Sequence, residues 1–127
     1  MSDWDAISKA SDAFGEYKDC AVRAVTVVSG FPYEHVHKTF TRCGRFPKCG
    51  TPLHVTRLAL KSLQLQTEDV TDQFNARTVR TLERELPKKG RFLVRVNGHL
   101  LAAKDGKIID WTKGRLHRII KIEKVTF

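Results

Sequence analysis

Two dipeptides constrain this chain more than anything else in it: Asn97-Gly98 and Asp105-Gly106, each set between runs rich in Val, Ile, Leu and Phe. Asn-Gly and Asp-Gly readily adopt the positive φ angles of two-residue turns, whose twist matches that of paired strands. Residues 91 to 111 are therefore predicted to form a three-stranded antiparallel meander. Two-residue turns also fix the register: Val96 faces His99, Val94 faces Leu101 and Phe92 faces Ala103, while Ala103 faces Ile108 and Leu101 faces Asp110. Because side chains alternate along a strand, Phe92, Val94, Val96, His99, Leu101, Ala103, Ile108 and Asp110 then share one face. That face is apolar except for one histidine and one aspartate, diagonal neighbours about 7 Å apart. Leaving two buried polar groups unpaired costs about 1 to 3 kcal/mol each, so His99 and Asp110 are expected to hydrogen-bond. A carboxylate accepting one imidazole N–H fixes the tautomer and leaves the other ring nitrogen as a base.

Ahead of the meander the period is helical. Trp4, Ile7, Ala10 and Phe14 mark a first helix over residues 3 to 14, ended by Gly15. Residues 20 to 28 are almost wholly apolar and predict a buried central helix, with Asp19 as N-cap and Gly30 as its stop. Pro32 opens a third helix running to about Cys43, with Tyr33, Val36, His37 and Phe40 facing inward. Thr51-Pro52 repeats the N-cap and proline opening for a fourth helix that ends near Leu63. Residues 65 to 70 read as a short strand, Thr78 caps a brief helix carrying Val79, Leu82 and Leu86, and residues 116 to 127 read as one more strand beside the meander. The fold class is α+β, a helical half packed on a C-terminal antiparallel sheet. The 127 residues, 41% of them hydrophobic, suit a single domain over 1–127 with one core.

Composition excludes several classes of function. No run approaches the about 20 apolar residues of a membrane span, so no membrane partner is expected. Met1-Ser2-Asp3-Trp4-Asp5 lacks the basic-then-apolar layout of a signal peptide. Three cysteines form no disulfide framework, which fits reduced thiols and a cytoplasmic setting. Cys43 and Cys49 lie near His35, His37 and His54, but their spacing is not a usual zinc-ligand spacing, and neither a metal nor a cofactor is expected. A formal charge of +9 implies attraction to acidic protein surfaces or to nucleic acid. The basic residues are scattered, from Lys38 and Arg42 to Lys121 and Lys124, and form no nucleic-acid-binding motif.

Cys20 would occupy the first turn of the central helix, where unpaired N–H groups and the helix dipole favour a thiolate, the reactive form. If that helix packs on the face bearing His99, the free imidazole nitrogen meets the sulfur.

A Cys at the start of a central helix, a His on a later strand, and an Asp-Trp pair on the next strand resemble the papain-like cysteine peptidases. Asp19-Cys20-Ala21-Val22-Arg23-Ala24, Gly30-Phe31-Pro32-Tyr33-Glu34-His35-Val36, Gly50-Thr51-Pro52, Asn97-Gly98-His99-Leu100, Asp105-Gly106 and Asp110-Trp111 are similar to small phage-encoded proteins of that fold. Those proteins in turn resemble bacteriocin-processing peptidase domains. The resemblance implies Cys20 as nucleophile, His99 as general base and then acid, and Asp110 as the residue that orients the imidazole. It implies a hydrolase or acyl-transfer enzyme acting on a protein or peptide, of acidic character given the basic surface, in the host cytoplasm. Papain-like enzymes usually carry a Gln oxyanion donor shortly before the nucleophile; Phe14 to Asp19 include none, so the Cys20 N–H, with Lys18 or Tyr17, takes that place. The alternative is an inactive basic protein of the same fold that binds a host protein or nucleic acid.

Overall fold

The computed structural model describes residues 3–127; Met1 and Ser2, which open the stretch compared above with a signal peptide, lie outside the described residues. Four helices come first: α1 (Asp3–Ala13), α2 (Cys20–Ser29), α3 (Tyr33–Arg42) and α4 (Leu53–Ser62). Strand β1 (Gln66–Asp69) and the single-turn helix α5 (Val79–Leu82) follow, then β2 (Arg91–Val96), β3 (His99–Lys104), β4 (Lys107–Ile109) and β5 (Ile119–Thr126). The strands form one sheet in the order β1-β5-β2-β3-β4, every neighbouring pair antiparallel.

The meander has the predicted register, with Val96 opposite His99, Val94 opposite Leu101 and Ala103 opposite Ile108. At the second turn Asp105 and Gly106 both take positive φ, whereas at the first only Gly98 does. The first turn is thus not the primed type that Asn-Gly favours, yet it still has two residues and the pairing survives. Pairing of β3 with β4 stops at Ala102 opposite Ile109, so Asp110 lies just past the strand and does not pair with Leu101. The terminal segment pairs with β2, as the sequence predicts, and also with β1, which places β5 inside the sheet.

Both faces of the sheet are covered, and the apolar interior falls into two clusters. On one face Leu93, Leu100, Ala102 and Val125 pack with α2 and with Ile7, Val36, Phe40, Val55 and Ala59 from the other long helices. On the other, Phe92, Val94, Leu101, Ala103, Ile108 and Ile122 pack with Val70, Val79 and Leu82. The face of Phe92, Val94, Leu101 and Ala103, on which packing of α2 would have brought Cys20 to His99, is therefore the one beneath α5; α2 lies on the opposite side, and its first residue reaches His99 at the hairpin end of the sheet. The reason is in the runs Phe92-Leu93-Val94 and Leu100-Leu101-Ala102-Ala103, which are buried on both sides. Continuous apolar strands belong to sheets covered on both faces.

Helix ends follow the sequence at Gly30, a left-handed C-cap with φ 74 whose N–H reaches the Thr26 carbonyl, and at Thr78, which forms a capping box with Thr81. Two other expected caps do not form. Asp19 sits at the N-cap of α2 without capping it, and the N-cap of α4 is Pro52, so Thr51 caps nothing.

Candidate active site

Asp19 fails to cap because its carboxylate is drawn elsewhere. It accepts hydrogen bonds from Ser11 Oγ at 2.7 Å, Tyr33 Oη at 2.6 Å and Arg23 Nε at 3.1 Å. Arg23 also donates to Ser8 Oγ at 3.2 Å and Ser11 Oγ at 3.1 Å. One buried carboxylate thus ties α1, α2 and α3 together at the residue before Cys20. Burial, reinforced by the neighbouring Asp19 charge, pushes the Tyr33 phenol far above its ordinary range, so it stays protonated and donates.

A second buried carboxylate fixes the other end of the same loop. Glu16 accepts Arg45 Nη1 at 2.9 Å and Nη2 at 3.0 Å, His37 Nε2 at 2.7 Å and the Lys48 backbone N–H at 2.8 Å. Its hydrogen bonds to Arg45, which outweigh the cost of burial, hold its carboxyl down at about 2. Between the two anchors Tyr17 and Lys18 project outward, Tyr17 being 68% exposed.

Cys20 is the first residue of α2, so its N–H has no acceptor within the helix. The sulfur meets His99 at the hairpin end of the sheet, where His99 is the first residue of β3 beside the turn. His99 Nε2 lies 2.8 Å from Asp110 Oδ2. A carboxylate can only accept here, so Nε2 carries the proton and Nδ1 is left for the thiol. Asp110 Oδ2 also accepts the Thr112 N–H at 3.0 Å and the Thr112 hydroxyl at 2.6 Å, a turn closed by the Asp side chain just past β4. The ring of Trp111 lies 5.3 Å from that of His99.

The two ionisable partners move toward each other. Burial opposes a charge on His99, but hydrogen bonds to Asp110 and Cys20 and their negative charges outweigh it, raising the imidazole from 6.5 to about 9. Burial likewise pushes the Cys20 thiol up, and His99 together with the backbone N–H groups of Leu100 and Ala21 outweighs it, for a net lowering. Both directions favour a thiolate beside an imidazolium, and the pair titrates as a unit.

Cys20, His99, Gly50 and Gly98 border two cavities at once. One, of about 380 Å³, is walled by Trp4, Tyr17, Lys18, Arg23 and Trp111. The other, of about 470 Å³, is walled by Thr51, Pro52, Arg95, Asn97 and Ile120.

The structure therefore brings Cys20, His99 and Asp110 together and sets Tyr17 and Lys18 on the same cavity, with no hydrogen bond that marks either as an oxyanion donor. Thr112 escaped the sequence, although Asp110-Trp111-Thr112 carries the spacing of such a turn. Glu16 and Arg45 left no local signal, lying far apart in the chain. Among the described residues no group of three or more His, Cys, Asp and Glu is placed to hold a metal; His37 binds Glu16, and Cys43 and Cys49 are free thiols. No described helix is long and apolar enough to cross a membrane. Comparison with protein-family models, with curated proteins and with solved structures finds no match to this chain.

Proposed function

We propose that this chain is a cysteine-dependent hydrolase or acyl-transfer enzyme of papain-like arrangement, with Cys20 as nucleophile, His99 as acid and base, and Asp110 as the orienting carboxylate. The observation that carries the reading is that one imidazole engages both Asp110 and Cys20, with the thiol lowered and the imidazole raised. In the forward step the thiolate attacks a carbonyl carbon, and the C=O electron pair moves onto oxygen. The Cys20 N–H, with Lys18 or Tyr17 at the lip, faces that oxyanion. As the tetrahedral species collapses, His99 gives its Nδ1 proton to the leaving group, and a thioester remains on Cys20. A water or other acceptor then loses a proton to Nδ1 and attacks the thioester, releasing the thiolate. Asp110 keeps the Nε2 proton in place throughout and stabilises the imidazolium. On this reading the substrate is a protein or peptide of the host cytoplasm, as the likeness to phage-encoded proteins implies.

The test uses iodoacetamide, with the modified cysteines located by peptide mass mapping. Exposed Cys49 serves as the reference thiol in the same molecule. At about pH 6, Cys20 is expected to react at least about tenfold faster than Cys49, and His99→Ala is expected to remove the difference. A Cys20 that reacts no faster than Cys49 refutes the reading and favours the inactive binding protein.

A further inference from the structure

We propose that the cleft takes an extended polypeptide carrying acidic side chains on both sides of the bond attacked, with Lys18 reading one side and Arg95 the other. The inference rests on the preceding reading for the identity of that bond. Because Cys20 and His99 border both cavities, the thiol stands at a waist with space to either side, and a chain crossing it meets Lys18 in one cavity and Arg95 in the other. Gly50 sits at the same waist. It has no positive φ, and a Cβ built on it meets nothing within 4 Å, so the fold itself does not require glycine there. A side chain at that position would stand in the path of a bound chain.

Charge selects the passenger. Two carboxylates border the cleft, and both are engaged inward: Asp19 with Arg23, Ser11 and Tyr33, and Asp110 with His99 and Thr112. Arg23 is held in turn by Asp19. Lys18 and Arg95 are not so held. The Lys18 ammonium lies 5.8 Å from the Tyr17 ring centroid and has no acidic partner among the described residues. Arg95 has none either, and its cross-strand neighbour on β5 is Lys121, a second cation. Two unneutralised cations flanking the thiol in semi-enclosed cavities attract carboxylates and repel basic segments.

The test measures protection of Cys20 from iodoacetamide at about pH 8.5, where any thiol reacts, so its outcome does not depend on thiolate activation. The probes are an alternating Ala-Glu peptide of about ten residues, an Ala-Lys peptide of the same length, and a single-stranded oligonucleotide of matching charge, all at low salt. The Ala-Glu peptide is expected to slow alkylation of Cys20 by about fivefold or more while leaving Cys49 unaffected, and to lose that effect at about 1 M salt. Lys18→Gln and Arg95→Gln are each expected to weaken protection, and the double variant to abolish it. Equal protection by both peptides, protection by neither, or protection by the oligonucleotide at lower concentration overturns the proposal, the last result assigning the cleft to nucleic acid. Failure of the reaction at about pH 6 with protection intact removes the catalytic reading alone.

Discussion

Glu16→Gln isolates the clamp that holds the loop before the nucleophile. The substitution keeps the side chain's shape, removes its charge and turns an NH2 group toward Arg45, with which it now forms a two-pronged ion pair. Glu16 is 5% exposed and Arg45 2%, so the stranded guanidinium would have little access to water. Its Nε already lacks a hydrogen-bond partner among the described residues. Removing one member of a buried pair typically costs about 3 to 5 kcal/mol. The carboxyl's displacement from 4.5 to about 2 gives a consistent figure, about 3 kcal/mol. The folded group is the stronger acid, so its contribution is complete above 4.5 and is lost as pH falls through about 2. At about pH 3 the native protein should already have lost about 2 kcal/mol of it, whereas Gln has nothing to titrate. Urea denaturation followed by circular dichroism at neutral pH and at about pH 3 reads both quantities. The gap between native protein and variant should be about 3 kcal/mol or more at neutral pH and narrow by about 2 kcal/mol in acid. Adding Arg45→Met should recover part of the neutral-pH loss by removing the stranded charge. A gap under about 1 kcal/mol, or one unchanged between the two pH values, refutes the reasoning.

Asp110→Asn removes the hydrogen bond and charge of Asp110 and leaves Cys20 alone to oppose burial, so the His99 imidazole should fall below its native value of about 9, and the acid limb of Cys20 alkylation should move to higher pH; a profile identical to the native one refutes this. Thr112→Val deletes the 2.6 Å hydroxyl contact to Asp110, and should lower the His99 titration seen by NMR less than Asp110→Asn does, with Thr112→Ser restoring it. Gly30→Ala forces a Cβ into φ 74 and should cost about 1 kcal/mol in denaturation, while Gly50→Ala should change stability by less than about 0.5 kcal/mol.

The hairpin that carries His99 was legible because turn chemistry and alternation act over a few neighbouring residues; its contact with Asp110 forms as expected, although Asp110 lies just past β4 and outside the pairing assigned to it. The side of the sheet taken by α2 was not. Leu100 to Ala103 is apolar at every position, so alternation there cannot say which neighbour lies above and which below. The capping residues show the same limit. Asp19 and Thr51 have the right identity for N-caps, but a cap is one of several partners a short polar side chain can take. Ser11, Arg23 and Tyr33 claim Asp19 only once three helices have met. Glu16 and Arg45, 29 positions apart, belong to different loops and share no periodicity from which their pairing could be read.

The position of β5 between β1 and β2 bears on how the chain folds. His99 and Asp110 are only 11 positions apart on a hairpin and its flank, so their contact can form early from local chain alone. The cysteine arrives through a far longer loop, and β1 has no strand to join until β5 has been made. An incomplete chain therefore exposes two open strand edges, a risk of aggregation. Completing the sheet thus guards against association between chains, while the meeting of Cys20 with His99 rests on α2 packing against β3.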